Sequence, residues 1–157
     1  MRKQTTRGRA EAAQLLASLR REGRRLTDQR RVILEVVRST DTHPTAEWVH
    51  HEVKKRVPRV SLGTVYRNLK LLTEQGLLAE LADGNYTRYD GRIDGHHHFR
   101  CSTCGRIFDL DEPIDHRLEE RVASRTGFEV AHHRIEFFGH CSACASSRQP
   151  ARRLRSR

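Results

Sequence analysis

Four cysteines constrain this chain more than any other feature. They are all it has, and they fall in two Cys-x-x-Cys pairs, Cys101-Ser102-Thr103-Cys104 and Cys141-Ser142-Ala143-Cys144, with 36 residues between them. Each pair can bend around one metal ion. Two such knuckles complete a tetrahedral Zn²⁺ site and close the intervening segment into a loop. Two disulfides or free thiols are the alternatives. A Cys-x-x-Cys pair closes poorly on itself as a structural bridge, and the basic N-terminus lacks the apolar stretch of a secretory signal. The expectation is a reduced, cytoplasmic protein whose thiols are available to metal.

Just before the first knuckle stand His96, His97 and His98. On an extended strand successive side chains alternate, so His96 and His98 share a face while His97 takes the other with Cys101. Two histidines so placed can grip one ion. An exposed polar edge is the competing reading, and the triplet alone does not decide between them.

The 157 residues suit one domain or two small ones. With 36% hydrophobic and 32% charged residues, they support modest cores. No apolar run approaches the roughly 20 residues of a membrane span. The net charge of +10 is uneven: residues 1–31 carry +7 and residues 148–157 carry +5, which leaves −2 for the rest. Basic ends on a near-neutral body point to a polyanion, most simply nucleic acid. For the C-terminal tail a solvated, solubilising role is the simpler reading.

Taken in order, residues 1–9 read as a disordered basic arm. Leu15, Leu16 and Leu19 recur at helical spacing between Ala10 and Glu22, and Gly23 is placed to stop that helix. Thr27 can cap a second helix to Arg38, with Val32, Ile33, Val36 and Val37 as its buried stripe. Thr45 can cap a third, with Trp48, Val49 and Val53 facing inward, before Pro58 stops it. Ser61 can cap a fourth from Leu62 to Gln75, buried along Val65, Leu69 and Leu72 and ended by Gly76. Ser61, Thr64, Arg67 and Lys70 fall on its other face, with Tyr66 beside them. Strand patterns over Leu77–Leu81 and Tyr86–Tyr89 flank Asp83-Gly84-Asn85, a strong hairpin signal. Helices followed by such a hairpin read as a winged helix-turn-helix over residues 10–89, with the fourth helix entering the major groove.

Residues 90–95 read as a hinge and residues 96–146 as a second, β-richer domain. Strands are expected over His96–Arg100, Arg106–Leu110 and Phe128–Phe138, with a helix from Ile114 to Thr126 whose face carries Ile114, Leu118 and Val122. Residues 147–157 form a basic tail. The fold class is therefore α+β: an N-terminal winged helix and a small C-terminal domain stapled by zinc. A core that small is expected to need a partner subunit.

The chain also resembles the ferric uptake regulator family of bacterial metal-dependent repressors. The resemblance is carried by His43-Pro44-Thr45-Ala46, Ser61-Leu62-Gly63-Thr64-Val65-Tyr66-Arg67-Asn68-Leu69, Arg88-Tyr89-Asp90, His96-His97-His98, Cys101-x-x-Cys104-Gly105, Asp109 and Gly139-His140-Cys141-x-x-Cys144. It implies a homodimer that binds an operator in double-stranded DNA, without an organic cofactor. By position it makes Cys101, Cys104, Cys141 and Cys144 structural zinc ligands. His43, Asp90, His96, His98 and Asp109 become a regulatory site for Fe²⁺ or Mn²⁺. Tyr66 and Arg67 become recognition-helix contacts, beside Ser61 and Thr64 on the same polar face, and Arg25 becomes a minor-groove contact. A further metal site of some members would draw on His97, His116 and His133, although Gly95 replaces a histidine there. A packed core position for His133 and a solvated one for His116 are the plainer alternatives.

Within the family, Asp109 in place of Glu, with Asp90 as the hinge carboxylate, resembles the peroxide-sensing branch. There, iron-catalysed oxidation would fall on His43 or His96 and release the DNA. Iron-responsive and zinc-responsive repression are the alternatives. A metal-dependent hydrolase built on the same His and Asp residues finds no general base or nucleophile apart from the ligands, so a non-enzymatic regulator is expected.

Overall fold

The computed structural model describes residues 13–14, 17–18, 21, 26–84 and 86–148. The basic arm, most of the first expected helix, Arg25 and all but the first two residues of the basic tail lie outside the described residues. The chain divides into two compact units, Met1–Asp94 and Gly95–Arg157.

Among the described residues of the first unit, three helices from residue 28 to residue 74 surround one apolar core. Helix α1, Asp28–Arg38, starts where Thr27 accepts a hydrogen bond from the Arg30 N–H, and it buries Ile33, Leu34, Val36 and Val37. Helix α2, Ala46–Lys54, is capped in the same way by Thr45 and buries Ala46, Val49 and Val53. Helix α3, Leu62–Glu74, is capped by Ser61 and buries Val65, Leu69 and Leu72 at the spacing that places them on one stripe. Each cap satisfies an N–H that the first helical turn leaves without an intrahelical partner. Gly76, at φ 68°, supplies the left-handed residue just past α3. Leu77, Leu78 and Tyr89 close the core from the side of the hairpin.

That hairpin is β1, Ala79–Asp83, and β2, Tyr86–Asp90, paired antiparallel with Asp83 opposite Tyr86. The register leaves a two-residue loop, and Gly84 at φ 59° provides the positive φ that such tight turns require. Three helices and a hairpin wing are the winged-helix arrangement.

The second unit is a three-stranded sheet of β3 (His97–Cys101), β4 (Ile107–Leu110) and β5 (Glu136–Gly139), in the order β4-β3-β5. Strand β3 runs antiparallel to β4 and parallel to β5. Helix α4, His116–Thr126, lies in the crossover between β4 and β5, and α5, Ser142–Arg148, carries the second knuckle. Among the described residues no helix is long and apolar enough to cross a membrane.

Several expectations are corrected. Trp48 is 40% exposed instead of buried, because Ala46, Val49 and Val53 occupy the inward stripe of α2 and Trp48 falls beside it. The strand expected from Phe128 is only Glu136–Gly139. Its parallel partner β3 offers a ladder for just four residues, from His98↔Glu136 to Cys101↔Gly139, and an extended segment without a ladder is not a strand. Likewise β3 starts at His97 instead of His96. Helix α4 begins after Asp115, which accepts from the Arg117 N–H, and it buries none of its residues. Strand β2 runs through Asp90, so the expected hinge begins inside the wing.

Candidate metal centres and DNA-facing helix

The four cysteines come together in the second unit, with one sulfur from each lying within 4.8 Å of every other. All four are free thiols. Cys104 Sγ and Cys141 Sγ are 3.9 Å apart, far beyond a disulfide bond. Sulfurs held at about 2.3 Å from a tetrahedral Zn²⁺ stand about 3.8 Å from one another, so the set fits that ion. The ladder explains the convergence. Cys101 ends β3 opposite Gly139, and Cys141 follows two residues later. The surroundings favour thiolate at Cys101 and Cys104, whereas a hydrogen bond with Cys141 pushes the Cys144 thiol up to about 12. The Cys141 N–H donates to Cys101 Sγ at 3.4 Å, and this bond is the main cause that holds the Cys101 thiol down at about 5. The Arg106 guanidinium donates to Cys104 Sγ at 3.5 Å and lowers that thiol too.

His98 on this sheet, with His96 just ahead of β3, meets a carboxylate. The register sets His98 opposite Asp109 on β4. His96 Nε2 and His98 Nε2 are 3.0 Å apart, and each reaches Asp109 Oδ1, at 3.5 and 3.7 Å. Both imidazoles are buried. Donors about 2.1 Å from one ion stand about 3.0–3.4 Å apart, so this triangle fits a shared divalent cation with nitrogen and oxygen ligands.

The first unit holds a second, smaller grouping. His43 Nε2 lies 3.9 Å from Asp90 Oδ2, and both side chains are almost wholly buried. His43 has φ 51° and is the one non-glycine residue with positive φ among those described. A residue preceding proline is normally pushed towards extended backbone, so this conformation ahead of Pro44 is held by its surroundings.

His97 points away from the triangle, as the alternation requires. Its ring centroid lies 5.7 Å from that of His133, and burial lowers its pKa. His133 Nδ1 and His116 Nδ1 bond the two oxygens of Glu119, at 3.0 and 2.8 Å. Glu119 was not expected. Its spacing of three from His116 on α4 is the sequence signal that could have found it.

Helix α3 presents the expected polar face. Ser61 Oγ and Thr64 Oγ1 are 2.8 Å apart, and Arg67 Nη2 donates to Thr64 Oγ1 at 3.2 Å. Tyr66 is 43% exposed, and its hydroxyl donates to Glu47 on α2 at 2.5 Å. Glu47 has no signal in the sequence, since 19 residues separate it from Tyr66.

The family model for the Ferric uptake regulator family matches residues 21–138. The chain is 36% identical over 135 residues to the peroxide-responsive repressor PerR of Staphylococcus aureus, covering 85% of this chain and 91% of that protein. Among solved structures, the Campylobacter jejuni peroxide stress regulator superposes with a TM-score of 0.68 at 33% identity, covering 83% of this chain and 98% of that one. A zinc uptake regulator complexed with zinc and DNA superposes with a TM-score of 0.63 at 25% identity, covering 91% and 98%.

Proposed function

This chain belongs to the Ferric uptake regulator family, and from that membership and its buried donor sets we propose a metal-dependent repressor whose signal is peroxide. It is a dimeric DNA-binding transcriptional regulator and not an enzyme, with structural Zn²⁺ and regulatory Fe²⁺ or Mn²⁺ as its metals. Its place is the cytoplasm, where operator DNA is found. Residues 10–89 read the DNA and 96–146 form the dimerisation domain, with the hinge shortened to 91–95 because β2 ends at Asp90.

Cys101, Cys104, Cys141 and Cys144 are assigned to Zn²⁺, and His43, Asp90, His96, His98 and Asp109 to one regulatory ion. Ser61, Thr64, Tyr66, Arg67 and Arg25 are assigned to DNA. His97, His116 and His133, now with Glu119, form a third candidate set of donors. Held by these residues, Fe²⁺ would supply the one-electron reduction of H₂O₂. His43 and His96 are the imidazoles that would take up the oxygen, and an oxidised ring is a poorer donor. Asp90 and Asp109, which have short side chains, keep the carboxylates close to the imidazoles. Loss of one imidazole would weaken the hold on the regulatory ion, and the operator would be released.

The observation that carries this reading is the buried His96–His98–Asp109 triangle, a nitrogen-and-oxygen set suited to Fe²⁺ and Mn²⁺. The test is operator binding by Fe²⁺-loaded and Mn²⁺-loaded protein before and after a low dose of H₂O₂, with peptide mass spectrometry of His43 and His96. Release by the iron form alone, with oxygen added to either histidine, is the expected result. If both forms stay bound and unmodified, metal supply is the signal and the protein is an iron-responsive repressor. Zinc-responsive repression predicts instead that Zn²⁺ at the regulatory site restores binding and Fe²⁺ does not.

A further inference from the structure

The backbone at His43 runs against its sequence context, and the first unit contains a device that holds it there. Arg88 Nη1 donates to the His43 carbonyl at 3.3 Å. The next residue along β2, Tyr89, donates its N–H to the Pro44 carbonyl at 2.9 Å, and Thr45 bridges to Arg88. Three successive residues, His43 to Thr45, are therefore pinned to the stretch of the wing that leads into Asp90. The Arg88 guanidinium is itself anchored, because its Nε donates to Asp83 Oδ2 in a close ion pair at the end of β1. Asp83 is the last strand residue before the tight turn, directly opposite Tyr86.

We propose that Arg88, anchored by Asp83, is a positioning residue that holds the His43 backbone left-handed and so keeps its imidazole beside Asp90. Two backbone carbonyls are gripped, but only the Arg88 grip comes from a side chain, and it acts on the residue with positive φ. Without it His43 relaxes towards the extended backbone that Pro44 favours, and its ring turns away from the carboxylate. The turn of the wing and the metal ligand are thus connected through two side chains, Asp83 and Arg88. This rests on the reading of His43 as a ligand of the regulatory ion.

The test is Mn²⁺ titration of the full, zinc-loaded chain by calorimetry, comparing wild type, Arg88→Met, Asp83→Asn and His43→Ala. Zinc content and the far-ultraviolet circular dichroism melt are recorded alongside. Loss of a side chain that orients a ligand typically weakens metal binding about 10- to 100-fold. Arg88→Met is expected to raise the Mn²⁺ dissociation constant by that much at unchanged zinc content, with Asp83→Asn shifting it less in the same direction. If His43→Ala loses Mn²⁺ while a folded Arg88→Met binds as wild type, the proposal is overturned, even if the melting temperature has dropped. If His43→Ala itself binds as wild type, the assignment of His43 fails and this proposal falls with it. Should Arg88→Met not fold, Asp83→Asn decides: weakened Mn²⁺ binding upholds the clamp and unchanged binding overturns it.

Discussion

Helices α3 and α4 are of similar length and both amphipathic in sequence, yet they end up in different surroundings. Helix α3 buries Val65, Leu69 and Leu72 completely against α1 and α2. Helix α4 buries nothing, and Val122 on its apolar side stays exposed. The contrast extends to the units that contain them. The hydrophobic core cluster consists wholly of first-unit residues. In the second unit the buried residues are Ile107, two cysteines and three histidines, while Phe128, Phe137 and Phe138 face outward, Phe138 at 66% exposure. Burial of apolar surface accounts for the first unit on its own. The second unit shows no comparable apolar core among its described residues, and a domain of about 60 residues commonly needs metal coordination or a subunit partner in its place.

The largest effect that would sharpen this contrast is zinc removal. Structural zinc contributes about 10–16 kcal/mol of apparent binding free energy in small metal-dependent folds. Cys101→Ser, or chelation, should therefore abolish amide protection across residues 97–148 and leave protection in α1 to α3 intact, as read by hydrogen exchange. Simultaneous loss in both units would break the comparison. Next comes Leu69→Ala, which should destabilise the first unit by about 2–5 kcal/mol, since a wholly buried leucine leaves a cavity. Denaturant melts should show the shift with zinc content unchanged. The smallest effect is expected at Phe138→Ala. Loss of this exposed aromatic should raise the dimer dissociation constant roughly tenfold, seen by sedimentation, while the protomer's fold is unaffected.

The sequence was most legible where one local rule sufficed. Thr27, Thr45 and Ser61 cap the helices they were expected to cap, Gly76 and Gly127 end theirs at positive φ, and the four cysteines meet. Spacing of 3.6 residues, cap chemistry and thiol pairing are all short-range signals. Alternation along residues 128–135 misled, because it records which side chains differ in polarity and not whether a neighbouring strand exists to pair with. Trp48 misled because bulk and hydrophobicity do not say on which side of a stripe a residue falls. Glu47 and Arg88 went unseen as participants for one reason: each acts on a group brought to it by tertiary structure. Arg88 reaches His43 across 45 positions and Glu47 reaches Tyr66 across 19.

The parallel pairing of β3 with β5 has a consequence for how the protein is made. Cys101 and Cys104 leave the ribosome well before Cys141 and Cys144. At about 5–20 residues per second the interval is about two to seven seconds. During that time the first unit, Met1–Asp94, is already fully synthesised. The second unit has β3 and β4 but neither β5 nor the sulfurs that close the site. Synthesis thus passes through a stage in which a finished DNA reader is attached to a domain that cannot yet hold zinc or find a partner. A message truncated between the two knuckles would fix that stage permanently and leave a monomeric reader that no metal controls.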